Sequence, residues 1–251
     1  MLNSNGRFKF LDLSLDNLSL EETIAKISAA INNRRVIQHI VLNALKVVQA
    51  HQSESLKCII NRCDIINPDG QSVVWASRLL GRPLKERIAG VDLMWRLFGE
   101  AQKNEWSVFL LGAEEKVSET AVKQLKSFFP KLKIAGRRNG YFSANEEATI
   151  VQQIRDAKPD ILFVGISSPK KEFFLDKYLT ALNVPFSMGV GGGFDLIAGK
   201  TKRAPLWIQN MGLEWFYRIL QEPGRMWKRY AITNFLFLYL VLREKLRLLF
   251  S

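Results

Sequence analysis

Apolar positions along this chain alternate between helical spacing and short unbroken runs, and the order in which the two patterns follow one another predicts an α/β domain. Ser19-Leu20-Glu21-Glu22 matches a capping box, and Leu20, Ile24, Ile27 and Ile31 then recur at helical spacing, so a helix is expected over 20–33. A strand over 36–42 and a helix over 45–51 follow, and a short strand over 63–66 delivers the turn Asn67-Pro68-Asp69-Gly70. Helices are expected over 71–80 and, beyond Gly81-Arg82-Pro83, over 91–104. The run 107–111 ends in Gly112 as a buried strand would, and a long helix then reaches Phe129. Strands over 132–135, 161–164 and 184–188 alternate with helices over 146–157 and 170–181.

Alternation of this kind implies a Rossmann-like, mostly parallel sheet flanked by helices. Ligands of such sheets bind beyond the carboxyl ends of the strands, so the loops 67–70, 112–114, 165–171 and 189–195 are expected to share one cleft. No internal repeat or low-complexity linker interrupts the pattern. The stretch 199–205 marks a change in character, after which helices dominate. The expected division is a catalytic α/β domain over 1–205 and a helical C-terminal appendage over 206–251.

With 251 residues and 47% apolar content, the chain can build one large core without disulfides or metals. Its formal charge of +12 favours partners that carry phosphate, whether nucleic acid, anionic lipid or a nucleotide sugar, and does not choose among them. Cys58, Cys63, His39 and His51 offer neither a zinc pattern nor a disulfide scaffold, so no metal site is expected and a reducing cytoplasm fits. Residues 1–8 lack the apolar stretch of a secretory signal, which argues against export. The longest apolar stretch, 231–242, is broken by Thr233 and Asn234 and is shorter than the roughly 20 residues a spanning helix needs.

Asp69 is the candidate catalytic base, although Pro-Asp-Gly is also a favourable turn in any protein. The run Gly189-Val190-Gly191-Gly192-Gly193-Phe194-Asp195 follows a strand and lets a backbone approach a phosphate or sugar closely; a tight strand-to-helix turn needs the same residues. Neither a complete dinucleotide fingerprint nor a nucleotide triphosphatase loop is present. Gly165-Ile166-Ser167-Ser168-Pro169-Lys170-Lys171-Glu172 places hydroxyls and lysines at a helix start, where an anion is favoured; alternatively Ser168 caps that helix and Pro169 opens it, with the lysines solvated. No Asp-x-Asp is present, so a leaving diphosphate would need fixed cations. In the tail, Arg218, Arg225, Lys228 and Arg229 interleave with Trp215, Phe216, Tyr217, Trp227 and Tyr230, a composition suited to a membrane interface.

These residues resemble a known family, the bacterial glycosyltransferases of the WecG, TagA and CpsF type. The likeness covers most of the chain. It rests on Asn43, Pro68-Asp69-Gly70 with Trp75, Arg87 with Gly90-Val91-Asp92, Phe109-Leu110-Leu111-Gly112, Gly140-Tyr141-Phe142 and Pro169-Lys170-Lys171-Glu172. Further matches are Val190-Gly191-Gly192 with Phe194-Asp195, Arg203-Ala204-Pro205, Glu214-Trp215-Phe216-Tyr217-Arg218, Glu222-Pro223 and Arg229-Tyr230. The resemblance implies transfer of a sugar, with inversion and without metal or other cofactor, from a UDP-sugar such as UDP-N-acetylmannosamine, its uronic acid or a related hexose. The implied acceptor is a polyprenyl-diphosphate-linked sugar, in cell-surface polysaccharide biosynthesis. It assigns the base to Asp69 and places Arg218, Arg225 and Arg229 near the diphosphate. Two positions depart from the common pattern: Val41 stands where relatives often have Thr, and Lys171 where many have Gln.

The expected substrate-binding set is Asn43, Gly165, Lys170, Lys171, Glu172, Gly191, Gly192, Asp195 and Arg203. Expected partners are the UDP-sugar, the lipid-linked acceptor and the anionic inner face of the bacterial plasma membrane, with no nucleic acid; a homo-oligomer is left open. A nonenzymatic nucleotide-sugar binder of the same fold is the alternative, which turnover would separate. A nucleic-acid-binding protein is disfavoured because no recognisable module accompanies the charge.

Overall fold

The computed structural model describes residues 6–250 apart from Glu222, and only the backbone of Asn210, Arg218, Arg225 and Met226. The chain opens with an antiparallel hairpin of β1 (Arg7–Phe10) and β2 (Leu13–Asp16), followed by α1 (Leu20–Asn32) and β3 (Ile37–Leu42). Next come α2 (Ala44–Gln52), α3 (Glu54–Arg62), β4 (Ile65–Pro68), α4 (Gln71–Leu79), α5 (Gly90–Lys103) and β5 (Ser107–Gly112). The order continues with α6 (Glu115–Phe128), β6 (Lys133–Arg138), α7 (Glu147–Ala157), β7 (Ile161–Gly165), α8 (Lys170–Leu182) and β8 (Phe186–Gly189). The short helices α9 (Gly193–Ile197) and α10 (Leu206–Asn210) lead to α11 (Glu214–Gln221) and the long α12 (Pro223–Leu249).

Strands β4-β3-β8-β7-β5-β6 form one six-stranded sheet, and every pairing within it is parallel. Both faces are covered, which is why the central strands read as unbroken apolar runs. Along β5, Val108 and Leu110 enter the cluster formed with α1, α5 and α6, whereas Phe109 and Leu111 enter the opposite cluster with α7 and α8. The hairpin blunts the β4 edge. Arg7, paired with Asp16 at 2.7 Å, donates to the carbonyls of Cys63 and Asp64, while Asp16 accepts from the amide of Ile66 at 2.8 Å.

The sheet positions the site through a divergence at its centre. After β3 the chain packs α2 on one face with Val47 and Val48, and after the neighbouring β8 it packs α9 on the other with Phe194 and Ile197. The two loops therefore part, leaving a crevice at the carboxyl ends of these strands. The tail does not stand apart from this core: Phe237, Leu240 and Val241 of α12 are buried in the cluster that holds α2, α3 and α4. Among the described residues no helix is long and apolar enough to cross a membrane.

Candidate active site

A cavity of about 720 Å³ fills the crevice, within the range that accommodates small ligands. Its lining brings together Asn43, Asp69, Lys171, Gly191, Gly192, Asp195, Arg203 and Arg229 from the expected set. Gly165, Lys170 and Glu172 stand outside that lining. Gly165 serves packing, since a Cβ there would lie 2.6 Å from the Phe194 ring. Lys170 donates to the carbonyl of Phe142 at 3.1 Å and lies over its ring. The side chains of Arg218 and Arg225 lie outside the described residues.

Asp69 extends from the end of β4, its amide donating to the carbonyl of Leu42 at 2.9 Å. Its Oδ1 accepts from the amide of Gly90 at 3.2 Å, at the first turn of α5, where helix N–H groups favour a negative charge. Beneath it, Asn67 accepts from His39 Nε2 at 2.9 Å and donates to Thr23 at 3.2 Å, which fixes the strand that carries the aspartate. Burial pushes His39 down to about 4, so the ring is neutral and Nε2 carries the proton. Asn43 caps α2 by accepting from the amide of Lys46 at 3.0 Å.

Lys46, which sequence reasoning missed, forms a buried triad with Glu172 and Lys171. The Glu172 Oε1 lies 2.9 Å from the Lys46 ammonium and 3.4 Å from that of Lys171, and the three side chains are only 6%, 2% and 9% exposed. Burial alone would raise Glu172, but the two ammonium groups outweigh it and hold its pKa below the ordinary carboxylate value. Lys171 is pushed down to about 8 by burial and by Lys46, with Glu172 and Asp69 opposing. Ser168 makes no side-chain cap for α8, whose first amides donate to the carbonyls of Ser167 and Pro169; its hydroxyl donates to Glu172 Oε2 at 3.0 Å, so the capping alternative for Ser168 does not hold.

At the mouth, Arg203 pairs with both carboxylate oxygens of Asp92 and, at 3.3 Å, with Glu214, whose other oxygen holds Arg87 at 2.7 Å. Glu214 opens α11, so this network ties the tail to the sheet domain. Beyond it, Trp215, Arg229, Tyr230, Thr233 and Phe237 complete the cavity wall. Among the described residues no group of three His, Cys, Asp or Glu side chains is placed to hold a metal ion.

The profile of the glycosyl transferase WecG/TagA/CpsF family matches residues 8–250. The chain belongs to this family. It is 39% identical over 181 residues to an N-acetylglucosaminyldiphosphoundecaprenol N-acetyl-beta-D-mannosaminyltransferase of Bacillus subtilis strain 168, covering 70% of each chain. The protein of the same name from Bacillus spizizenii is 37% identical, over 72% of this chain and 69% of its own. That from Staphylococcus aureus strain MW2 is 30% identical over 246 residues, covering 97% of this chain and 96% of its own. Membership makes the chain a glycosyltransferase, and the family's match extends through α12, whose residues line the cavity.

Proposed function

We propose that the protein transfers a sugar from a UDP-sugar to a sugar carried on a polyprenyl diphosphate, with inversion and without a metal ion. The observation that carries this reading is Asp69, half-buried at the crevice, held by the Gly90 amide and facing a cavity whose other wall is the basic, aromatic tail. The names of the relatives, which describe transfer of N-acetylmannosamine to a lipid-diphosphate-linked N-acetylglucosamine, support both the reaction class and the acceptor.

Asp69 accepts the proton of the acceptor hydroxyl as that oxygen bonds to the anomeric carbon, and the bond from this carbon to the diphosphate breaks on the opposite face. General-base assistance of this kind contributes roughly 10²- to 10⁴-fold. Arg229, with Arg218 and Arg225, offsets the charge that builds on the departing UDP, a task that fixed cations perform without reorganisation. Gly191, whose φ of +53° suits glycine, and Gly192 border the donor together with Asp195.

The tail delivers the lipid. On α12, Ile232, Phe235, Tyr239, Leu242, Leu246 and Leu249 are exposed at spacings of three and four, a stripe separate from the buried Phe237, Leu240 and Val241. Lys228, Arg243, Lys245 and Arg247 lie on the same helix. An apolar stripe with basic residues suits an anionic membrane surface, on which the helix would lie rather than span.

The deciding experiment incubates the protein with UDP-sugars and short-chain lipid-diphosphate acceptors, with and without chelator, and weighs the products. A lipid product one sugar heavier, formed at an unchanged rate in chelator, is expected. Binding of UDP-sugars without any transfer would make the protein a nonenzymatic binder; transfer abolished by chelator would remove metal independence.

A further inference from the structure

One carboxylate serves two ammonium groups at the floor of the cavity. Glu172 gives Oε1 to Lys46 at 2.9 Å and to Lys171 at 3.4 Å, while its Oε2 is taken by the Ser168 hydroxyl. The three charged side chains are removed from bulk water, so the triad keeps a net positive charge in a place where an unmatched charge is costly. Lys171 is the more weakly paired of the two. Its aliphatic stem is led past Gly189 toward the cavity, which Lys171 lines together with Lys46 and Asp69. An ammonium group has three N–H donors, and the partners named do not exhaust those of Lys171.

We infer that Lys171, backed by Lys46, is a specificity-determining residue that binds the carboxylate of an acidic sugar, so that the donor is a nucleotide-linked uronic acid rather than a neutral hexosamine. The inference rests on the glycosyl-transfer reading above and names the substrate class of that same site. In an inverting displacement the base and the leaving group occupy opposite faces of the anomeric carbon. A cation grouped with Asp69 therefore stands away from the departing diphosphate, and what lies within its reach is a substituent of the sugar. A sugar carboxylate there completes the coordination of Lys171 and favours its charged form. A neutral sugar leaves the buried cation short of a partner, and the site discriminates against it by that deficit. The carboxylate binds and orients; it takes no part in the bond exchange.

The test uses the full chain with a matched pair of donors, UDP-N-acetylmannosamine and UDP-N-acetylmannosaminuronic acid, and measures both equilibrium binding and transfer to a short-chain lipid-diphosphate acceptor. The wild type is expected to favour the acidic donor by about tenfold or more in both measurements, as loss of a desolvated charge-assisted contact would dictate. Lys171→Gln should erase or reverse that ratio, and Lys171→Arg should keep its direction. The ratio is taken within each variant, so a partly unfolded sample does not distort it. Should Lys171→Gln fail to fold, the wild-type ratio at rising pH replaces it: the preference must shrink as Lys171 discharges above about 8, amid Lys46, Glu172 and Asp69. Equal or better use of the neutral donor by the wild type overturns the inference, as does a Lys171→Gln variant that weakens both donors alike. Selective binding of the acidic donor without transfer would instead uphold the inference and remove the transfer reading.

Discussion

The stem of Lys171 runs across the bare Cα of Gly189: a Cβ on that glycine would come within 2.8 Å of both Cδ and Cε of the lysine. Glycine at the end of β8 thus sets where the ammonium group points. Gly189→Ala should displace the stem and lower transfer about tenfold, an effect of roughly 1.4 kcal/mol. The double variant Gly189→Ala/Lys171→Ala should lose no more than Lys171→Ala alone, because the two changes act on one contact. Additive losses would show that the glycine acts elsewhere.

Asp69→Asn keeps an oxygen for the Gly90 amide and so should preserve the fold while removing the base. Transfer should fall by at least roughly 10²-fold, with the melting temperature unchanged. Activity near wild type would take Asp69 out of the mechanism.

Glu214 gives one oxygen to Arg87 and the other to Arg203. Glu214→Ala leaves two mostly buried guanidinium groups short of a partner and should cost about 1–2 kcal/mol, a figure discounted for their partial exposure. Limited proteolysis should then cut faster between residues 199 and 214, and transfer should fall with it. Unchanged cleavage would mean that the tail is held by α12 alone.

His39 titrates near 6.5 in the unfolded chain and at about 4 in the fold, where burial keeps it neutral. As pH falls below 6.5 the unfolded state takes up a proton that the folded state refuses, so this contribution is complete above 6.5 and lost on the way down to about 4. Chemical denaturation should show the wild type losing roughly 2 kcal/mol more between pH 7 and 5 than His39→Gln, whose amide can still donate to Asn67. Parallel losses in the two proteins would contradict the buried neutral imidazole.

Co-sedimentation with anionic vesicles should depend on the exposed stripe of α12. Phe235→Ala should weaken it roughly tenfold, the scale of one apolar side chain withdrawn from the interface, and added salt should weaken it further. Binding indifferent to both changes would remove the stripe from membrane docking.

Much of this architecture was legible in the sequence because helices and strands here follow local rules. The capping box at Ser19 and Glu22 forms as expected, and Asp69 does follow a strand into a cleft, although that strand runs two residues later than 63–66 and takes in Asn67 and Pro68. The hairpin of β1 and β2 escaped notice because its turn places Leu11 and Asp12 at positive φ, without the glycine that usually marks such a turn. Helix α3 was hidden by Ser53, whose extended backbone separates it from α2 by a single residue. The length of α12 was hidden too: its basic residues break the apolar run in one dimension while leaving a continuous stripe on the helix surface. Lys46 gave no signal at all, since a buried lysine and a solvated one look alike until the fold supplies Glu172. The resemblance flagged Lys171 as unusual, and the fold adds that it is buried beside Lys46 and Glu172.

The doubly shared carboxylate at the start of α11 also limits how this enzyme can be recombined. A chimera that transplants the carboxy-terminal segment from a relative brings its own residue at position 214 and must meet Arg87, Asp92 and Arg203 of the recipient. Exchanging the segment without matching those three side chains would set a foreign arm on an incompatible socket, so the natural unit of exchange is larger than the tail itself.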